Sequence, residues 1–154
     1  MKLFSLSGRR ALITGSSMGI GYALAKGLSD AGAQVVLNAR NADRLHAATE
    51  DLRAKGANVL ALAFDVTDPV AAREAIDAFE AKEGAIDILV NNAGMQHRAP
   101  LEDFPADAFD RLMRTNVNSV FYVAQAVARH MIARGKGRII NIASVQTALA
   151  RPSI

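Results

Sequence analysis

No cysteine occurs anywhere in this chain of 154 residues, which removes disulfides and thiolate chemistry together and suits a reducing, cytoplasmic setting. Long apolar runs are missing too. The longest candidates, residues 59–64 and 86–90, are strand-sized and far short of a bilayer span, so no membrane role is expected. Residues 1–7 carry one lysine and too short an apolar stretch for a signal peptide. Aromatic residues are few, at 5%, and none interleave with the basic ones. The formal net charge is +3, and its one basic cluster (Arg129, Arg134, Lys136, Arg138) surrounds an expected helix end, where cations complement the last carbonyls. A nucleic-acid partner is therefore not expected. No metal site is assigned, and no low-complexity linker breaks the chain into parts.

What remains is enough for a core: 51% apolar and 21% charged residues, the balance of one globular domain spanning residues 1–154. Short runs rich in Val, Ile and Leu recur at residues 11–14, 34–38, 58–64, 86–90 and 138–143. They lack polar alternation, which predicts strands buried on both faces. Between them lie helical periods. Ile20, Ala23, Leu24, Gly27, Leu28 and Ala31 predict one apolar stripe, and Leu45, Ala48 and Leu52 a second. Val70, Ile76 and Phe79 predict a third, with Asp68 as cap and Pro69 in the first turn. A fourth, long helix is expected from about Pro105 to Arg134 and is apolar around much of its circumference. Gly32, Gly56, Gly84 and Gly135 follow the four helices as stop signals. Strand–helix alternation with short links implies right-handed crossovers and a parallel sheet, an α/β/α architecture of the Rossmann type with strand order 3-2-1-4-5.

Between the first strand and first helix stands Thr14-Gly15-Ser16-Ser17-Met18-Gly19-Ile20-Gly21. Its spacing is not G-x-G-x-x-G, yet it meets the same needs. Gly15 permits a tight turn, Gly19 a close backbone approach to a pyrophosphate, and Gly21 close packing of the helix. The helix N-terminus then offers free N–H groups and a positive dipole end to phosphates. The second strand ends Asn38-Ala39-Arg40, with no acid for an adenosine ribose. Arg40 either pairs with a 2′-phosphate through charge-assisted hydrogen bonds or is a solvated loop residue, and the first reading predicts NADP(H) over NAD(H).

Together with Asp65-Val66 after the third strand, Asn91-Asn92-Ala93-Gly94 after the fourth, Asn116 in the long helix and Asn141-Ile-Ala-Ser144 on the fifth, this turn resembles the short-chain dehydrogenase/reductases over essentially the whole chain. Within the family, residues 96–98 and the region to Ser144 are most similar to bacterial gluconate 5-dehydrogenases and related sugar-acid enzymes. The resemblance implies that Asp65 bonds the adenine amino group, that Val66 lines that pocket, and that residues 91–94 pack against the adenine ribose and support the central strand. It implies that Ser144 polarises the substrate oxygen and that Asn116 anchors a proton-relay water. The residues alone do not separate Asn116 from Asn118; the resemblance chooses. Arg98 is either a contact for a substrate carboxylate or a loop arginine. The family likewise implies a homotetramer or homodimer built on the long helix.

One departure limits the reading. The family's acid–base is the Tyr of a Tyr-x-x-x-Lys motif beyond the serine, and Tyr22 and Tyr122, the only tyrosines, stand elsewhere in the chain. With Ile154 as the last residue, the chain is expected to be the N-terminal portion of a longer Rossmann domain, inactive alone. The function expected is a ketone–secondary alcohol oxidoreductase using NADP(H), on a small carbonyl or alcohol substrate such as gluconate or 5-ketogluconate. The competing class is a catalytically incomplete dinucleotide-binding or redox-sensing module.

Overall fold

A computed structural model describes residues 4–145 and arranges them in three layers around one parallel sheet. The elements alternate: β1 (Arg10–Ile13), α1 (Gly19–Asp30), β2 (Gln34–Ala39), α2 (Ala42–Ala54), β3 (Val59–Ala63), α3 (Pro69–Glu83) and β4 (Ile88–Asn91). A 3₁₀ turn (Leu101–Asp103) leads to α4 (Ala106–Met113), a π-helical segment (Arg114–Asn118), α5 (Ser119–Ala133) and β5 (Arg138–Asn141). The sheet order is β3-β2-β1-β4-β5, all neighbours parallel, as the alternation predicts. The order reverses between β1 and β4, which is where such sheets leave a crevice at the carboxyl ends of their strands.

Alternation within the strands divides the core into two. Ala11 and Ile13 face the α1/α2 layer with Val35, Leu37, Ala25, Leu45 and Leu52. Leu12 faces the opposite layer with Val36, Leu89, Ile76, Val123 and Val127, so α3 and α5 cover that side. Burial on both faces holds for β1, β2 and β4. It fails for β3, whose alternate residues are exposed, and for β5, exposed throughout. Among the described residues both are the outermost strands of the sheet, each beside one other strand.

The helices depart from the predicted stripes in instructive ways. In α1 the residues fully inside are Gly21 and Ala25, while Ile20 is 68% exposed, because the small residues are what bring this helix against the first strand. In α3, Asp68 accepts from the N–H groups of Val70 and Ala71, as its cap position requires, but Val70 faces out and Ala72 faces in. The long fourth helix is interrupted by a turn of π-helix at Arg114–Asn118. Ser119 Oγ donates to the carbonyl of Thr115 at 2.5 Å there, so a hydroxyl takes up a carbonyl of the widened turn. Its apolar residues split into an inner face (Ala108, Val123, Val127, Met131) and an outer one (Phe109, Met113, Val117, Phe121) at four-residue steps. Arg134 does not serve its own helix end alone; it bonds the Glu80 carboxylate at 2.7 and 3.1 Å and the carbonyl of Ile86 at 2.6 Å.

Candidate nucleotide site

Polar groups buried at the carboxyl end of the sheet build the turn after β1. Thr14 is 2% exposed, and its Oγ1 accepts from the backbone N–H groups of Asn92 and Ala93 at 2.9 and 3.0 Å. Asn92 returns the connection, its side-chain amide donating to the carbonyls of Thr14 and Gly15 at 2.9 and 3.2 Å. From the other side Asn38, 1% exposed, accepts from the Gly15 N–H at 3.3 Å and donates to the carbonyls of Leu62 and Phe64, both at 3.1 Å. Ser16 Oγ donates to the Ile13 carbonyl at 2.7 Å and accepts from the Asn38 N–H at 3.0 Å. The turn is thus tied to β2, β3 and β4 at once. Sequence reasoning missed Thr14, Ser16 and Asn38 as organisers; the available signal was a polar residue closing an apolar run at Thr14 and Asn38, and Ser16, in the turn, carried none.

The glycines divide the steric work. Gly15 has φ of +61°, and a Cβ there would meet Ala93 Cα at 2.9 Å. Gly19 has φ of +58° with open space around it, so its reason is backbone conformation. Gly21 is purely a matter of room: a Cβ would come within 2.6 Å of the Gly15 carbonyl oxygen and 2.9 Å of Ser16 Cα, and against Asn92 Nδ2. Met18, in extended conformation at the N-cap of α1, offers no side-chain hydrogen bond to the first turn. The first N–H groups of α1 are therefore not consumed by a side-chain cap, the condition for receiving an anion.

A cavity of about 480 Å³ opens beside this turn. Gly15, Ser17, Met18, Ile20 and Gly21 line it from β1 and α1, and Arg40, Asp65 and Val66 from the ends of β2 and β3. Asn92, Ala93 and Gly94 close it from β4. Sequence reasoning did not include Asn41, Arg44, Thr67, Met95 and Thr115, which also reach it. Asp65 is held in place, Oδ1 accepting from the Thr67 N–H and Oγ1 at 2.8 Å each, while Oδ2 stands 4.0 Å from the Arg40 guanidinium. Arg40 is otherwise in solvent, its side chain 81% exposed.

Five of the sequence-predicted residues stand outside this cavity. Gly19 shapes the turn without lining it. Asn91 is buried in β4 and donates to Asn141 Oδ1 at 2.9 Å, joining β4 to β5. Asn116 is exposed on the π-helical turn and meets the loop after β4. Its amide pairs with one residue of that loop, accepting from the Met95 N–H at 2.8 Å and donating to the Met95 carbonyl at 2.9 Å. Ser144 follows β5 at the carboxyl end of the sheet, the end at which the cavity opens, and is exposed. Arg98 is exposed, its nearest polar partner Gln96 Oε1 at 3.4 Å.

Neither tyrosine reaches this region's chemistry. The Tyr-x-x-x-Lys spacing does occur once, at Tyr22 and Lys26. However, the Tyr22 hydroxyl donates to Asp51, Lys55 sits 3.3 Å from it, and Lys26 pairs with Asp30. That hydrogen bond to Asp51, then burial, raises the Tyr22 pKa, the opposite of what a tyrosine base needs. Among the described residues no group of three or more acids, histidines or cysteines could hold a metal, and no helix is long and apolar enough to cross a membrane.

Comparison with known proteins agrees with this geometry. A family model described as short chain dehydrogenase matches residues 9–154. Gluconate 5-dehydrogenase of Gluconobacter oxydans is 59% identical over 152 residues, covering 99% of this chain and 59% of that protein. The 5-keto-D-gluconate 5-reductase of Escherichia coli K12 is 44% identical over 152 residues, covering 99% and 60%. A solved gluconate 5-dehydrogenase from Burkholderia cenocepacia, in complex with NADP and tartrate, superposes with a TM-score of 0.95 at 58% identity, covering 98% and 59%. The chain spans about three-fifths of the length of each of these relatives.

Proposed function

The chain belongs to the short-chain dehydrogenase family, and from that premise we propose that it is the nucleotide-binding part of an NADP(H)-dependent oxidoreductase. The reaction is the interconversion of a ketone and a secondary alcohol on a sugar acid of the gluconate/5-ketogluconate kind. The observation that carries the cofactor reading is the end of β2, where Arg40 lines the cavity and no carboxylate stands at the strand tip. An acid there would accept from a ribose 2′-hydroxyl; a guanidinium instead matches a 2′-phosphate. The NADP-bound Burkholderia relative supports the same choice, and its tartrate, a hydroxy acid, supports the substrate class.

In this reading the Gly15–Gly21 turn and the open first turn of α1 receive the diphosphate, with Ser17, Met18, Gly19 and Ile20 around it. Asp65 accepts from the adenine amino group and Val66 packs on the ring, while Asn92, Ala93 and Gly94 form the wall under the ribose and Asn91 supports them from within β4. A bound nicotinamide supplies or takes up the hydride. Ser144 donates to the substrate oxygen as charge develops on it, and Asn116 anchors a relay water while holding the Met95 loop. Arg98, in the loop after Gly94, meets the substrate carboxylate. The outer apolar face of α4 and α5 joins copies into a homodimer or homotetramer, in the cytoplasm.

The deciding experiment is Arg40→Asp in the purified enzyme, with kcat/KM measured for NADP and NAD. The expected result is a fall in the NADP/NAD ratio of at least ten-fold; an unchanged ratio refutes the cofactor assignment. For the substrate class, Arg98→Ala is expected to raise KM for gluconate-type acids and leave NADPH affinity unaltered, and an unaltered KM removes Arg98 from the site.

A further inference from the structure

The π-helical turn between α4 and α5 diverts one backbone hydrogen bond. The Ser119 N–H donates to the carbonyl of Arg114, five residues back, instead of to Thr115, four back as in an α-helix. The Ser119 hydroxyl makes up the difference, Oγ donating to the Thr115 carbonyl at 2.5 Å. One residue thus supplies donors to two successive carbonyls of the widened turn. Ser119 is 2% exposed, one turn before Val123 on the buried side of the helix, where an unmade polar contact is costly. No proline or glycine stands between Met113 and Ser119 to impose the bulge, so its chain-specific support is this hydroxyl.

What the turn presents is a wall of the cavity. Thr115 lines the cavity directly. Asn116 holds Met95, another lining residue, by both of its backbone groups, at 2.8 and 2.9 Å. The approach is close: a Cβ on Gly94 would stand 3.4 Å from Asn116 Oδ1. Closing the turn to ordinary α-helix returns the Ser119 N–H to Thr115 and removes one residue from the bulge. That carries Asn116 round the axis by ~100° relative to α5, and its amide then misses Met95.

We infer that Ser119 is a positioning residue for the reaction, its hydroxyl locking the π turn in the form that sets Thr115 into the cavity and Asn116 on Met95. This rests on the oxidoreductase reading above and adds to it a buried residue that does not itself line the cavity. The diphosphate turn, Arg40 and Asp65 belong to the other side of the cavity, on β1, β2 and β3. Loosening the π turn therefore acts on turnover and leaves nucleotide binding in place.

The test is Ser119→Ala in the purified enzyme, which removes the O–H and keeps a strong helix former. Amide exchange at Met95 is expected to speed about ten-fold, the order that one lost hydrogen bond gives. Turnover, kcat, is expected to fall about ten-fold with KM for NADPH within about two-fold, a split that a merely structural serine would not produce. Because the effect passes through Asn116, adding Ser119→Ala to Asn116→Ala is expected to speed Met95 exchange no further. Unchanged exchange at Met95, faster exchange with unchanged kcat, or effects of the two substitutions that multiply would each overturn the inference. The two readings fail differently. Wild-type enzyme that turns over no sugar acid with NADPH refutes the proposed function. Met95 exchange unchanged by Ser119→Ala refutes the role of Ser119, whichever nucleotide or substrate the enzyme takes.

Discussion

Gly21→Ala adds one methyl group at the most crowded point of the nucleotide turn. The new Cβ would stand 2.6 Å from the Gly15 carbonyl oxygen and 2.9 Å from Ser16 Cα, both backbone atoms, and would also press on the Asn92 side-chain amide. The backbone cannot rotate away as a flexible side chain could, so either α1 withdraws from the sheet or the turn shifts. Asn92 would lose its bonds to the Thr14 and Gly15 carbonyls in either case. Overpacking of this kind costs about 1–3 kcal/mol. In a domain of this size that is a drop in Tm of roughly 2–12 °C. Because the displaced atoms are those that shape the phosphate site, NADPH affinity is expected to fall about ten-fold or more alongside, about 1.4 kcal/mol of binding. Gly27→Ala is the internal control on the same helix. Nothing lies within 4 Å of a Cβ there, and replacing a helical glycine by alanine is worth roughly 0.5–1 kcal/mol, so Tm should rise and binding stay constant. Differential scanning calorimetry and NADPH titration on the two variants decide the matter. If Gly21→Ala matched the wild type in both Tm and affinity, the close approach of α1 to the β4 loop would not be the reason for that glycine.

Three further outcomes are expected. Thr14→Val keeps the shape but removes the acceptor of two backbone N–H groups, which should lower stability in urea by about 1–3 kcal/mol; Thr14→Ser should recover most of it. Asn116→Ala should leave global stability nearly unchanged but speed amide exchange at Met95, whose N–H it now holds; unchanged exchange would show that the loop does not depend on this side chain. At the α3–α5 seam, the hydrogen bond and charge of His130, and after them Arg73, hold the Asp77 carboxyl below its ordinary range. A depressed carboxylate contributes stability that is present above its unfolded value, about pH 4, and is lost as pH falls through the folded one. Asp77→Asn should therefore flatten the pH dependence of stability below about pH 4, and an identical slope in the variant would remove Asp77 from acid denaturation.

Much of this protein was determined by its sequence alone, because the relevant information is local. Period and composition give strands and helices, chain connectivity and handedness then leave few sheet orders, and the glycine spacing marks the turn between β1 and α1. The family motifs located Asp65, Val66 and residues 91–94, and most of them converge on one cavity. Tertiary structure alone decided which side chains hold that cavity in shape. Thr14 meets Asn92 across 78 positions and Asn38 meets Gly15 across 23, separations on which helix and strand periodicity carry no information. It also decided that β3 keeps alternate residues exposed and β5 is exposed throughout, and that Asn116 sits on a π-helical turn bonded to Met95. Burial and long-range pairing belong to the packed chain, in which a buried polar group must find a partner wherever the fold happens to bring one.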